Sequence, residues 1–371
     1  MKRTVLISGA STAGLTLGYW LNKYGFDVTI VEKSSTPRKG GSPIDVRAGA
    51  LHVAKDMGIF DVIKDKQIHT KAISFVDKTG KIKVATPPAK SKTNGEPDIE
   101  IEREDLIDTL YGLIENQATF IFDNSIELLQ QNDSGVHVTF KNGNREGFDF
   151  VIGADGQHSA VRKIVFGKED EFTKYLGMYV SVVQIQEKPG KDAHSLLYNS
   201  PGKIAGISQY DAKTYLFFAF HSPRLNYDYN DKEEQRRLLI DAYKNQRWLV
   251  PQLLHLIQTS DNLYFDSVSQ IRMDKWTKGR VSLVGDSAHC AAFLSGMGTS
   301  LAMMGARILA EELSSRPDNY QAAFRQYENR HKPVVKKIHA SVPFTARMFI
   351  PKSDMGIWLR NSLLRVRNLF I

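Results

Sequence analysis

Thr4-Val5-Leu6-Ile7-Ser8-Gly9-Ala10-Ser11-Thr12-Ala13-Gly14, then Leu15, Leu17, Tyr19, Trp20 and Leu21, then Asp27-Val28-Thr29-Ile30-Val31-Glu32, decides the fold. A β-branched run, a turn of small residues, an apolar helical stretch closed by Gly25 and a second β-branched run make a βαβ unit with a right-handed parallel crossover. A dinucleotide turn needs a first glycine for tightness, a small middle residue so that backbone N–H groups approach the pyrophosphate, and a last glycine for helix–sheet packing. Gly9, Ser11 and Gly14 hold those places with Thr12 and Ala13 between them, and Ser11 is a departure that crowds the phosphate slightly. Glu32, with Lys33 beside it, stands at the strand end where an acid takes ribose hydroxyls. A hydrolase nucleophile elbow at Gly9-x-Ser11 would need a second flanking glycine, and position 13 is Ala.

Outward from this unit, 371 residues suit two domains, or one domain carrying an insertion. With 42% hydrophobic and 24% charged residues, wholesale disorder and low-complexity architectures are excluded. The formal charge of +8 is local: residues 330–371 hold nine Lys/Arg and one acid, Asp354, and the rest is balanced. No basic stripe crosses the body, so a nucleic-acid partner is not expected. Cys290 is the single cysteine, which excludes an internal disulfide and fits a reducing cytoplasm. Gly9, Ser11, Thr12 and Gly14 interrupt the apolar start too early for a signal peptide, and no stretch reaches the roughly 18 apolar residues of a bilayer span.

Helices are expected over 104–114 and 232–245, and strands over 126–130, 136–141 and 148–152. A sheet-rich region follows, with strands over 178–186, 195–198, 204–209 and 215–221, before a buried strand at 281–284. Two further segments carry chemistry. Gly153-Ala154-Asp155-Gly156 leaves a strand and continues through Ser159, Val161 and Arg162. Gly285-Asp286 ends the strand at 281–284, and Ser295-Gly296-Met297-Gly298 opens a helix whose N-terminus favours an anionic group.

These three segments, in this order, resemble the single-component FAD-dependent monooxygenases of the para-hydroxybenzoate hydroxylase type over residues 1 to about 330. The resemblance implies an α/β fold: a Rossmann-like FAD-binding domain (1–172 and 266–330), a β-sheet-rich substrate domain (173–265) and a C-terminal helical lid or brace (331–371). It assigns Gly9, Ser11, Thr12, Ala13, Gly14, Glu32 and Lys33 to the ADP half of FAD, and Asp155 and Asp286 to the cofactor as well. Gly296, Met297 and Gly298 fall beside the isoalloxazine, Arg103 in Arg103-Glu104-Asp105-Leu106 falls on the flavin, and Arg38 and Arg47 are candidates for flavin or nicotinamide phosphates. Segments 40–47, 276–280 and 294–302 look most like the tetracycline-inactivating monooxygenases, the tetracycline destructases. By that resemblance NADPH, a transient visitor without its own Rossmann domain, reduces FAD; O2 then gives a flavin hydroperoxide that hydroxylates a tetracycline-type phenol or enol.

Phe293 stands where the family usually has proline and Ser300 where it has asparagine, so the substrate wall is expected to differ. Phe293, Phe220 and His221 are the substrate candidates; a plain strand-end histidine is the other reading of His221. Phe217, Phe218 and Phe220 read as core and cavity wall, His289 as packing, and Cys290 as an inert buried thiol; the histidines form no metal-ligand pattern. An aromatic hydroxylase of catabolism or tailoring is the alternative enzyme, and a non-enzymatic membrane-surface flavoprotein the alternative class. Trp20, Trp248, Trp276 and Trp358 do not form the halogenase Trp-x-Trp motif. A helix from Ser353 places Leu359, Leu363, Val366 and Phe370 on one stripe with Arg360, Arg365 and Arg367 on its flanks. Docking of that apolar stripe over the substrate domain is expected, with an anionic membrane as the other partner for it.

Overall fold

The strand Thr4–Ser8 pairs in parallel with Asp27–Val31 on one side and Phe150–Gly153 on the other, as a buried β-branched strand does in a doubly covered sheet. The computed structural model describes residues 2–37, 40–87, 92–93, 96–190, 192–210, 213–260 and 262–368. Its first sheet runs Thr277–Lys278, Val281–Leu283, Phe150–Gly153, Thr4–Ser8, Asp27–Val31, Thr119–Ile121. All three chemical segments therefore leave the carboxyl ends of adjacent parallel strands, where open α/β sheets bind ligands. Helix Thr12–Lys23 packs against helix Gly298–Ser315 over this sheet. A three-stranded antiparallel sheet (Ile126–Gln131, Val136–Phe140, Arg145–Phe148) extends one side.

The second sheet has seven strands, in the order Leu263–Ile271, Thr173–Ile185, Lys213–His221, Lys203–Tyr210, His194–Ser200, Ala72–Val76, Ile82–Thr86. It is wider than residues 173–265: Ala72–Val76 joins in parallel beside His194–Ser200, and Ile82–Thr86 forms the edge. One face, carrying Tyr179, Phe218 and Phe220, packs on helices Lys232–Tyr243 and Val250–Thr259. The other face, carrying Val180, Ala219 and Phe217, packs on Ala292, Leu294 and the end of helix Tyr320–Phe349.

Helix Tyr320–Phe349 spans about 45 Å at 1.5 Å per residue. Phe324 and Tyr327 lie in the first core and Val342 and Ala346 in the second, so this helix is a strut between the two sheets. The last helix, Asp354–Asn368, corrects the expected docking. Arg360 and Asn361 are its buried residues, while Leu359, Leu363 and Val366 are each more than half exposed. Arg360 lies 3.7 Å over the Phe75 ring and donates to Asn199 Oδ1, and Arg365 and Asn368 donate to the carbonyls of Lys83 and Ala85. Polar side chains thus satisfy the free carbonyls of an edge strand, and the apolar stripe is left outside. Phe370 lies outside the described residues.

Candidate functional site

Helix Thr12–Lys23 begins at a turn that only glycine can make. A Cβ on Gly9 would lie 2.6 Å from the Ala154 carbonyl oxygen, and one on Gly14 would lie 1.9 Å from the Gly9 carbonyl oxygen. The chain therefore passes at backbone contact, and the helix start opens directly off the strand. Ser11 gives no side-chain cap to the helix; its hydroxyl accepts from Arg103 Nη2 at 3.0 Å. The first-turn N–H groups remain for an anion. Glu32, 7% exposed, accepts from Ala10 N at 2.8 Å and Ser34 N at 3.1 Å, one bond per oxygen, which leaves each a lone pair for a ribose hydroxyl. Lys33 beside it is exposed, and Arg38 lies outside the described residues.

Gly285, at φ 68°, brings the next loop against this helix: a Cβ there would meet Ala13 Cβ at 2.8 Å. Asp286 follows, reached by solvent yet crowded by protein, at the bottom of a groove. Crowding by protein pushes its carboxyl up and the Arg103 guanidinium pulls it back. Gly41 backs Arg103, and Gly298 lies beside Asp286. Arg47 pairs with Asp45 at 2.8 Å, and both lie against Gly296. Met297 caps helix Gly298–Ser315, its N–H bonded to Ser295 Oγ. Ser300 is turned away from the groove mouth; it accepts from Arg47 N at 2.9 Å and fixes the Asp45–Arg47 strand. These contacts place the helix start, Arg103, Asp286 and the Gly296–Gly298 loop side by side at this groove.

Beyond that loop stands an aromatic wall. Phe293 stacks between Phe217 at 6.1 Å and Tyr264 at 6.2 Å, and is itself 38% exposed. Two substrate candidates fall elsewhere. Phe220 points to the opposite face of the sheet and packs on Tyr243 and Tyr179, because strand side chains alternate and 217 and 220 have opposite parity. His221 bonds the carbonyls of Gly177 and Ile350, which ties the end of the long helix to the sheet. That alternation was a usable signal for Phe217, whereas Tyr264 arrives from a distant strand with no local pattern to mark it.

Residues 2–341 match the family model of the FAD binding domain. A flavin-dependent monooxygenase of an unknown prokaryotic organism is 38% identical over 98% of this chain and 90% of its own. The chain belongs to the FAD-dependent monooxygenases. It is an oxidoreductase that binds FAD. Among solved structures, the tetracycline destructase Tet(55) is similar at 36% identity and a TM-score of 0.87, covering 98% of this chain and 95% of that one. Tet(51) is similar at 31% identity and the same TM-score of 0.87, over 98% and 96%. The residues present are chemically suited to the cofactor: the uncapped helix start and Arg103 could take a pyrophosphate, Glu32 a ribose hydroxyl, and the Gly296–Gly298 loop a planar ring.

The remaining motif residues of this monooxygenase hold the groove's parts together. Asp155 accepts from Ser159 Oγ at 2.5 Å and Val161 N at 3.0 Å, so its carboxylate fixes the start of helix Ala160–Val165. Fully buried Arg162 donates to Ser287 O at 2.9 Å, and Ser287 Oγ donates back to Gly153 O at 2.6 Å, stitching the second segment to the third. His158 bonds Glu169 at 2.9 Å and Asp266 at 3.1 Å, joining the first sheet's loop to the last strand of the second. Burial opposes its charge, but the bonds from Asp266 and Glu169 win and hold its pKa at about 10. A raised folded pKa stabilises fully below the unfolded value near 6.5 and is lost as pH rises through 10. His158→Gln is therefore expected to cost about 2 kcal/mol at pH 6 and much less at pH 10.5, read from urea unfolding. A pH-independent cost would reject the ion pairs.

Glu100, opposite Asp45 across a two-stranded ribbon, was missed in the sequence because Ile99-Glu100-Ile101 reads as an ordinary half-exposed strand. Burial, and after it the Asp45 charge, pushes its carboxyl up to about 7, while the Thr70 hydroxyl bonds it at 3.0 Å. An acid whose pKa rises on folding stabilises below the unfolded value near 4.5 and loses this through 7. Glu100→Gln should thus stabilise the flavin-free protein by about 2 kcal/mol at pH 8 and not at all at pH 4. Equal unfolding midpoints at pH 8 would contradict the buried carboxylate.

Proposed function

We propose that this monooxygenase hydroxylates a polycyclic phenol or enol of the tetracycline type, with NADPH as reductant. Support comes from the wall of Phe217, Phe293 and Tyr264 beside the Gly296–Gly298 loop, a flat apolar surface suited to a fused-ring substrate, and from similarity to two tetracycline destructases. When bound, FAD would carry the reducing equivalents from NADPH to O2, and the chain's own part is to bind, orient and exclude water. Arg103 and the helix start hold the pyrophosphate end, Arg47, locked by Asp45 and Ser300, lies by the ring-binding glycines, and the aromatic wall orients the substrate face. NADPH enters transiently, since the first sheet carries one glycine-rich βαβ unit.

The test is NADPH oxidation by the FAD-loaded protein with tetracycline and with simple phenols. Stimulation by tetracycline well above the substrate-free rate supports the reading. Stimulation only by single-ring phenols would make the protein an aromatic hydroxylase instead, and none by either class would favour a non-enzymatic flavoprotein.

A further inference from the structure

The last two helices carry six large apolar side chains on the outside: Phe344 71% exposed, Met355 77%, Trp358 65%, Leu359 52%, Leu363 51% and Val366 53%. Elsewhere such side chains are exposed singly, which is normal for a folded surface. Here the five on the last helix recur at helical spacing opposite buried Arg360 and Asn361, so they form one stripe. Exposed Arg365 and Arg367 fall about 100° to either side of it by helix geometry. Between this helix and the end of the long one runs a groove of about 410 Å³, lined by apolar Met348, Leu359 and Leu363 together with basic Arg347 and Lys352.

We propose that this face is a docking surface for an anionic phospholipid bilayer. The helix lies in the plane of the interface: its apolar stripe enters the acyl boundary, Trp358 sits at headgroup level, and Arg347, Lys352 and Arg367 meet lipid phosphates. Charge selects this occupant over a second copy of the chain. Exposed Arg347, Lys352, Arg365 and Arg367 stand on or beside this face against the single acid Asp354, so two such faces brought together would repel, whereas an anionic surface neutralises them. Among the described residues no helix is long and apolar enough to cross a membrane, so the contact is peripheral. The docked side of the helix stays on the sheet edge through Arg360, Arg365 and Asn368, and binding requires no unfolding.

The experiment is co-sedimentation of the full FAD-loaded protein with vesicles of phosphatidylcholine alone and of equal phosphatidylcholine and phosphatidylglycerol, with sedimentation equilibrium of the protein alone. At least tenfold tighter binding to the anionic vesicles is expected, falling as NaCl rises. Trp358→Ser with Leu359→Ser should lower it a further tenfold, as should Lys352→Glu with Arg367→Glu, with FAD retention and circular dichroism unchanged. Failure to pellet with anionic vesicles, or equal pelleting of the variants, overturns the proposal. So does a concentration-dependent dimer that Trp358→Ser with Leu359→Ser abolishes, since that gives the face to a second copy.

Discussion

Gly14→Ala should abolish flavin binding and destabilise the protein by on the order of 3 kcal/mol or more. The new Cβ would stand 1.9 Å from the Gly9 carbonyl oxygen, which is backbone and cannot rotate away, and 3.3 Å from the Ile7 side chain behind it. Relief requires the helix start to move off the strand. The N–H groups proposed to hold the pyrophosphate move with it, so the expected loss of binding is a consequence of geometry and not only of stability. Thermal unfolding with and without added FAD reads both effects: the variant should melt lower and gain nothing from the cofactor. A variant that still shifts upward with FAD by as much as the parent would mean that this helix start does not hold the phosphate.

Arg103→Ala is expected to weaken FAD binding about 100-fold with the fold intact, the loss of a charge-assisted contact of about 2–3 kcal/mol. Arg103 is the first residue of helix Arg103–Gly112, so truncation removes no intrahelical bond. It does remove the donor to Ser11 and the positive charge beside Asp286, the largest influence offsetting the crowding of that carboxyl. Flavin fluorescence titration measures the affinity directly. Arg103→Lys should recover only part of it, because an ammonium cannot bridge two acceptors in the plane of a guanidinium. An unchanged dissociation constant for the alanine variant would remove Arg103 from the site.

The βαβ unit was legible because its signals are local: two β-branched strands, small residues at fixed offsets and one acid at a strand end. The same holds for Gly285-Asp286 and Gly296–Gly298, each announced by the strand or helix it adjoins. What local pattern could not show was pairing at a distance. Ala72–Val76 looks like any short strand, and only its register with His194–Ser200 makes it part of the second sheet. Asp155 illustrates a different limit: the motif marks it, but its bonds to Ser159 and Val161 at the start of the next helix appear only in the folded chain. In the last helix, periodicity marks the apolar stripe, and the need for a covered cavity leads to the expectation that this stripe docks. The structure buries the opposite side, because the neighbouring surface is an edge strand whose carbonyls need donors more than a helix face needs cover.

The fate of the oxygen atom is the most direct measure of monooxygenase chemistry on this substrate. FAD-loaded protein, NADPH and tetracycline are incubated under 18O2, and the product is weighed by mass spectrometry. A product heavier than the drug by one 18O atom is the result expected of a monooxygenase acting on this substrate. Tetracycline recovered unchanged while NADPH is consumed would contradict the substrate assignment, and a product carrying oxygen from water would contradict the chemistry itself.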